Sequence, residues 1–302
     1  KRVDFKYVFL AYSDALQPPF RNYSTGVWNM SDELKSPEGV YLVPFVAQDK
    51  FNYSKSVYDA DNNSIRQFVQ DWATVYENCM SWSYGTFFYD YLCFYDSFGF
   101  YSNYYKLLKE NKYMFTFVQI HDCQRGADTG FGVLNSYLCS KLAWNSSLDV
   151  NKLVDNYFKA MYKDAADEMK ELFTQERLWF ATENAKSSLT TSTSLTATEK
   201  DKLPFGTMND FMKCIDRAYA KIESYKRDTA TYERLKNNID MEWIFPAKAM
   251  LSLHKDSFTS ADYEQMKQKF KTVAETLGFA VIKETWLNQY PTTIDEYLET
   301  LS

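Results

Sequence analysis

The chain has 302 residues, a net charge of −6 and 45% hydrophobic residues. This length and composition are typical of about two globular domains that can bury a large core. The negative charge disfavours a nucleic-acid binder, which normally carries a basic face, and gives no reason to expect attraction to an anionic membrane. No apolar run approaches the roughly 20 residues of a membrane span. We therefore expect no nucleic-acid partner and no membrane span.

The first part of the chain predicts strands separated by a helix. Residues 5–12 (FKYVFLAY) form a continuous apolar run, which is typical of a strand buried on both faces. A polar, irregular loop follows over residues 20–39. Val40–Ala47 predicts a second strand, although Pro44 is unfavourable in a central position. Helical spacing of apolar residues then extends over residues 64–78.

Two further apolar runs, residues 80–84 and Tyr113–Gln119, are short and rich in aromatic residues, as strands often are. A helical stripe lies between them, from Tyr101 to Leu108, and a second stripe follows from Phe131 to Leu142. The order strand, helix, strand, helix indicates a parallel sheet covered by helices. In such folds ligands bind at the carboxyl ends of the strands, so we expect a site there.

From Asp149 onward the pattern predicts helices only. Asp149 is a favourable N-cap for the first of them, and Ser260 is a favourable cap for a later helix that ends at Gly278. The Ser/Thr-rich segment of residues 184–205 predicts a surface loop. This half of the chain predicts an antiparallel helical bundle.

Cysteine and histidine usage argues against metal centres. The five cysteines contain no CxxC pair, which disfavours a zinc site or a disulfide framework. With only two histidines, a histidine-rich metal site is also poorly supported. We expect no metal, no cofactor and five free thiols, namely Cys79, Cys93, Cys123, Cys139 and Cys214.

Several segments resemble a bacterial family called domain of unknown function 4838. They are LAYSDALQPP, WSYGTFFYDYL and, above all, the block from Leu134 to Phe173, where LNSYLCSKLAWN precedes a helix and an Ala-Ala pair. Proteins of this family look like glycoside hydrolases, akin to α-glucuronidases and β-hexosaminidases of polysaccharide-degrading bacteria. The resemblance implies a carbohydrate context and an exported or cell-surface location, although the chain contains no signal peptide.

The resemblance also implies that the four strands are the last four of a (β/α)8 barrel. A full barrel takes about 250 residues. We therefore expect residues 1–147 to form the C-terminal half of a TIM-like barrel and residues 148–302 to form a helical bundle domain. The chain starts at Lys1 rather than Met, so the other half is expected upstream. That half, or another chain, is the expected partner of the open sheet edge.

Candidate catalytic residues are carboxylates at strand ends, because glycosidases usually need two of them facing the scissile bond. Asp14, Asp49 and Asp122 follow predicted strands, and Asp14 and Asp122 are the best placed. Capping or turn roles are common for Asp in such loops, and no spacing makes a pair specific. Where this chain has Ser83, the family tends to have an acidic residue, which implies an altered substrate or lost activity.

Candidate substrate-binding residues surround the same strand ends. Strand alternation sends Trp82 and Tyr84 to one face, where they can form a platform for the C–H groups of a pyranose ring. Gln48, Gln119 and His121 follow or end neighbouring strands and supply donors and acceptors for hydroxyls.

Three hypotheses about function remain open. The leading one is a glycoside-hydrolase-like protein that acts on or binds a poly- or oligosaccharide. The alternative is a non-catalytic carbohydrate-binding or assembly module on the same fold, which the absent first half of the barrel and Ser83 favour. In a third hypothesis the helical half binds a partner protein.

Overall fold

A computed structural model describes residues 5–31, 40–120, 129–186, 189, 200–284 and 290–301. Internal contacts divide the chain into two compact units. The sheet unit comprises residues 1–85, 98–119 and 139–147, and the helical unit comprises residues 86–97, 120–138 and 148–302. Two segments that precede residue 147 therefore group with the helices of the second half, whereas the sequence suggested one boundary after residue 147.

The sheet unit contains a four-stranded sheet in which every neighbouring pair is parallel. The strands are β1 (Phe5–Ala11), β2 (Val40–Ala47), β3 (Cys79–Tyr84) and β4 (Tyr113–Gln119). They lie side by side in chain order, with β1 and β4 at the two edges. The predicted parallel sheet and the predicted edge position of the first strand are thus confirmed.

Three helices follow β2, β3 and β4: α1 (Asn63–Val75), α2 (Phe98–Glu110) and α3 (Gly132–Trp144). Helices α1 and α2 cover one face of the sheet. The hydroxyl of Tyr113 in β4 donates to the carbonyl of Val69 in α1 at 2.9 Å, and Ser81 in β3 is hydrogen-bonded to Tyr104 in α2. This helix-covered face encloses an aromatic core, in which Trp72 of α1 is buried and donates to the carbonyl of Leu16 at 2.8 Å.

The opposite face of the sheet, here called the open face, exposes apolar side chains. Val8 is 56% exposed, Leu10 49% and Phe115 48%. The prediction that the first strand is buried on both faces is therefore wrong. A continuous apolar run shows that both faces of a strand are apolar. It does not show whether other segments of the same chain cover both faces. Parallel sheets are normally covered on both faces, whereas the described part of this sheet leaves these apolar side chains of one face exposed.

The described part of residues 148–302, in the helical unit, contains six α-helices. They are α4 (Val150–Tyr162), α5 (Ala166–Lys186), α6 (Phe205–Ile222), α7 (Thr229–Leu253), α8 (Ser260–Leu277) and α9 (Ile294–Thr300). In the described part of residues 148–302, β-pairing is limited to the isolated bridge between Val281 and Thr293. The helices-only prediction is confirmed for these residues. None of the described helices is long and apolar enough to cross a membrane.

Capping side chains define where several helices begin. Asp149 accepts hydrogen bonds from the backbone of Asn151 at 2.9 Å and of Lys152 at 3.3 Å, as predicted. The N-cap of α8 is Thr259 rather than the predicted Ser260, since the Thr259 hydroxyl accepts from the backbone of Asp262. Gly278 ends α8 with a φ of 74°, a left-handed conformation that glycine adopts without strain.

Several charged side chains are buried inside the helical unit, among them Asp90, Glu176, Glu242 and Lys248. Asp90 and Lys248 form an ion pair in which the ammonium lies 2.9 Å from both carboxylate oxygens. Glu242 accepts from the backbone of Phe131 at 2.8 Å. Neither carboxylate oxygen of Glu176 has a hydrogen-bond partner among the described residues. Buried charges are rare unless paired, so this cluster strongly affects stability.

Four cysteines are free and buried: Cys79, Cys93, Cys139 and Cys214. Burial raises the pKa of both Cys79 and Cys139 to about 12. These thiols are therefore poor nucleophiles at neutral pH. Cys123 lies outside the described residues.

Candidate functional site

The carboxyl ends of the four parallel strands meet at one edge of the sheet. The register pairs Trp82 with Ala47 of β2 and with Phe117 of β4, and it pairs Tyr84 with Gln119. Paired residues of neighbouring strands point to the same face. Trp82, Tyr84 and Gln119 therefore share the open face, as the sequence predicted for the first two.

Trp82 lies at the centre of an aromatic group. Its ring is 5.5 Å from Phe45, 5.1 Å from Phe117 and 6.2 Å from Tyr84, measured between centroids. The Trp82 and Tyr84 rings are inclined by only 30°. The indole Nε1 of Trp82 is buried and has no hydrogen-bond partner in the described part of the chain. A buried indole N–H normally has an acceptor, so this donor is a polar group of the site that the described part of the chain does not satisfy.

Tyr84 connects this aromatic group to a carboxylate. Burial raises the pKa of the Tyr84 phenol, and the nearby Tyr12 and Asp49 raise it further. One carboxylate oxygen of Asp49 is buried without a hydrogen-bond partner among the described residues. Its other oxygen lies 3.4 Å from the ammonium of Lys50. The sequence made Asp49 a weaker catalytic candidate than Asp14. The described structure nevertheless places the Asp49 carboxylate close to the platform residue Tyr84.

The remaining predicted site residues are distributed differently. Gln48 is fully buried, and its amide nitrogen lies 3.4 Å from the hydroxyl of Ser81, on the helix-covered face. Its backbone N–H donates to the carbonyl of Trp82 at 2.8 Å, but its side chain points away from the Trp82 ring. Asp14 is exposed in the short 3-10 helix Ser13–Ala15 that follows β1. His121 and Asp122 lie outside the described residues.

Ser83 lies between the two platform residues Trp82 and Tyr84 in sequence but not in space. It is fully buried, and its hydroxyl donates to the carbonyl of Phe117 at 3.3 Å. Strand alternation turns it to the helix-covered face, away from the platform. This side chain therefore does not contribute a polar group to the open face.

These residues form what we call the platform site: Tyr12, Asp49, Trp82, Tyr84 and Gln119. It combines flat apolar rings with an indole donor, a carboxylate acceptor and an amide. Such a combination suits a ligand that has apolar faces and hydroxyl edges. Among the residues that the structure describes, no group of three or more His, Cys, Asp or Glu could hold a metal ion.

Comparisons with known proteins extend the family resemblance. Residues 38–174 match the model of a family described as Domain of unknown function (DUF4838). This segment includes β2, β3 and β4 and therefore most of the platform site. No curated protein and no solved structure matches the chain.

Proposed function

Since residues 38–174 belong to the DUF4838 family, we propose that the chain is a glycoside-hydrolase-like protein that binds an oligosaccharide at the platform site. The observation that carries this proposal is the half-buried Trp82 on the open face, stacked at 30° on the 8% exposed Tyr84, with an indole N–H that has no partner in the described part of the chain. A pyranose ring can place its C–H groups on such rings while its hydroxyls bind the polar rim. Gln119 and Asp49 supply that rim.

The sheet unit contributes four of the eight strands of a (β/α)8 barrel in this proposal. Support comes from four parallel strands in chain order and from α1 and α2 on one face. The apolar open face resembles a barrel interior, which layers of branched and aromatic side chains normally fill. Four further strands, from the same protein or from another chain, would cover Val8, Leu10 and Phe115. Residues 148–302 would then form a helical bundle domain.

Asp49 is the carboxylate that the platform site offers for hydrolysis. A glycosidase needs a second carboxylate across the scissile bond. Asp122 stays a candidate for that role. The alternative function is carbohydrate binding without hydrolysis, by a non-catalytic module on the same fold.

Trp82→Ala tests the binding proposal. We expect the affinity for neutral oligosaccharides, measured on a glycan array and then by calorimetry, to fall by at least about tenfold, or about 1.4 kcal/mol. Because Trp82 is half-buried, its replacement should lower the free energy of unfolding by less than the roughly 3–5 kcal/mol expected for a core tryptophan. Trp144→Ala is the matched control, because Trp144 is 93% exposed in the same unit. Unchanged binding by Trp82→Ala would exclude the platform site.

Asp49→Asn separates hydrolysis from binding. If the chain is a hydrolase, this variant should lose at least about a hundredfold in the rate of aryl-glycoside hydrolysis while it still binds the oligosaccharide, because a missing general acid or base costs about that factor or more. Asp14→Asn, on the exposed 3-10 helix after β1, is the control and should retain the rate. Sugar binding without any hydrolysis by the unmodified protein would favour the non-catalytic module.

A further inference from the structure

The helical unit contains a cavity of about 290 Å³ that is distinct from the platform site. Its polar lining includes Tyr89, Lys248, Ser252, Lys283, Tyr290 and Tyr297. From this lining we infer that the cavity binds the oxyanion group of a small ligand, a carboxylate or a phosphate, at Lys283 and Lys248. All lining residues belong to the helical unit, so the inference is independent of the function proposed for the sheet unit.

Lys248 supplies a fixed positive charge at the wall of the cavity. Its ammonium donates to both oxygens of Asp90 at 2.9 Å, and it lies 5.6 Å from the centre of the Tyr297 ring. An ammonium has three N–H donors, so one remains beyond the two that Asp90 accepts. Because both partners are almost fully buried, the position of this charge is set by the fold.

Lys283 supplies a second positive charge that has no carboxylate within ion-pair distance among the described residues. Burial lowers the pKa of its ammonium, and Lys248 lowers it further, while Asp90 and Glu296 oppose this change. The Glu296 carboxylate is already occupied by the backbone N–H groups of Thr292 at 2.7 Å and Thr293 at 3.0 Å. Lys248 is paired directly with Asp90, whereas Lys283 has only these more distant carboxylates, so its ammonium can form a direct ion pair with a ligand anion.

Hydroxyl groups beside the two lysines can bind the rest of a polar ligand. The Ser252 and Tyr297 oxygens are 2.9 Å apart, and the Tyr297 hydroxyl donates to the carbonyl of Lys248 at 3.2 Å. Ser252 therefore donates to Tyr297 and keeps its lone pairs for a ligand hydroxyl. Tyr89 has no hydrogen-bond partner in the described part of the chain. The volume lies at the lower end of ligand pockets and suits a molecule the size of one sugar ring.

Calorimetric titration tests this inference with four probes: D-galacturonate, glucose 6-phosphate, inorganic phosphate and D-glucose. We expect the anionic probes to bind, glucose not to bind, and added salt to weaken the binding. Lys283→Met should reduce the affinity at least about tenfold, since a charge-assisted hydrogen bond is lost. Lys283→Arg should retain binding, and so should Lys271→Met, whose exposed side chain lies in α8.

The probes also identify the source of the anion. Tighter binding of galacturonate indicates an acidic sugar, whereas tighter binding of the two phosphates indicates a phosphorylated ligand. Three results would overturn the inference: no binding of any anionic probe, equal binding of glucose, or wild-type affinity in Lys283→Met. Trp82→Ala should leave anion binding intact, and Lys283→Met should leave neutral oligosaccharide binding intact, so the failure of one site is distinguishable from the failure of the other.

Discussion

Lys248→Met is expected to lower the free energy of unfolding by about 3–5 kcal/mol, because it leaves the carboxylate of Asp90 buried without its counter-ion. Methionine keeps the length and apolar stem of lysine, so lost packing contributes little. Among the described residues, the Asp90 carboxylate then keeps a hydrogen bond of 3.3 Å from the backbone of Leu92 and the more distant positive charge of Lys283. Denaturant unfolding, followed by circular dichroism, measures the change.

Two further variants separate the buried charge from general damage. Removing both charges in Lys248→Met with Asp90→Leu should recover most of the stability, since an apolar pair of similar volume needs no desolvated ions. Lys213→Met removes an ammonium 2.7 Å from Asp210, where both side chains are largely exposed, and should cost less than about 1 kcal/mol. If Lys248→Met lowers the free energy of unfolding no more than Lys213→Met does, the Asp90–Lys248 pair does not stabilise the fold in the way expected here.

The sheet could be predicted from the sequence because its strands have clear local limits. The predicted bounds of Val40–Ala47 and Tyr113–Gln119 agree with the observed β2 and β4. Short aromatic runs that alternate with segments of helical periodicity indicate a parallel sheet, and this pattern is local in the sequence. The exposure of Val8 and Leu10 could not be predicted, since it depends on a layer that the local pattern does not describe.

Alternation within the strands predicted part of the platform site and could have predicted more. Trp82 and Tyr84 share a face because they are two residues apart. The same rule, continued past the end of β2, puts Gln48 with the buried Val46 and Asp49 with Phe45. The structure follows this rule at Gln48, which bonds Ser81 on the helix-covered face. Asp49 was thus accessible from the sequence by alternation alone.

The buried charges of the helical unit had a weaker signal in the sequence. Asp90 and Lys248 are 158 positions apart, so no local pattern relates them. Glu176 lies three residues after Phe173 and four before Phe180, which places it on the apolar stripe of α5. An acidic residue on such a stripe indicates a buried carboxylate. Glu242, which raises the pKa of Glu176 further, comes close to it only through tertiary packing and could not be found from the local pattern.

Glu176→Gln is expected to make the stability of the helical unit less dependent on pH. Burial raises the pKa of the Glu176 carboxyl well above its ordinary value of 4.5, and the neighbouring Glu242 raises it further. The folded state therefore holds a proton that the unfolded chain has already released. This contribution to stability is complete below pH 4.5 and is lost as the pH rises through the folded-state pKa.

The expected slope follows from one proton. Above pH 4.5 the free energy of unfolding should fall by up to about 1.4 kcal/mol per pH unit in the unmodified protein, until the folded-state pKa is passed. Glutamine keeps the shape of the protonated carboxyl and does not titrate, so this fall should be absent in Glu176→Gln. Near pH 5 the two proteins should be similarly stable, and by pH 8 the variant should be the more stable one.

Glu183→Gln provides the matched control in the same helix. The Glu183 carboxylate lies 2.7 Å from the ammonium of Lys186, so this substitution removes a paired charge instead of an unpaired one. Unfolding curves at pH 5, 6, 7 and 8 for the three proteins separate the two cases. Parallel pH profiles for the unmodified protein and Glu176→Gln would mean that Glu176 is not held protonated by its surroundings. A changed slope in Glu176→Gln alone locates the buried proton at this side chain.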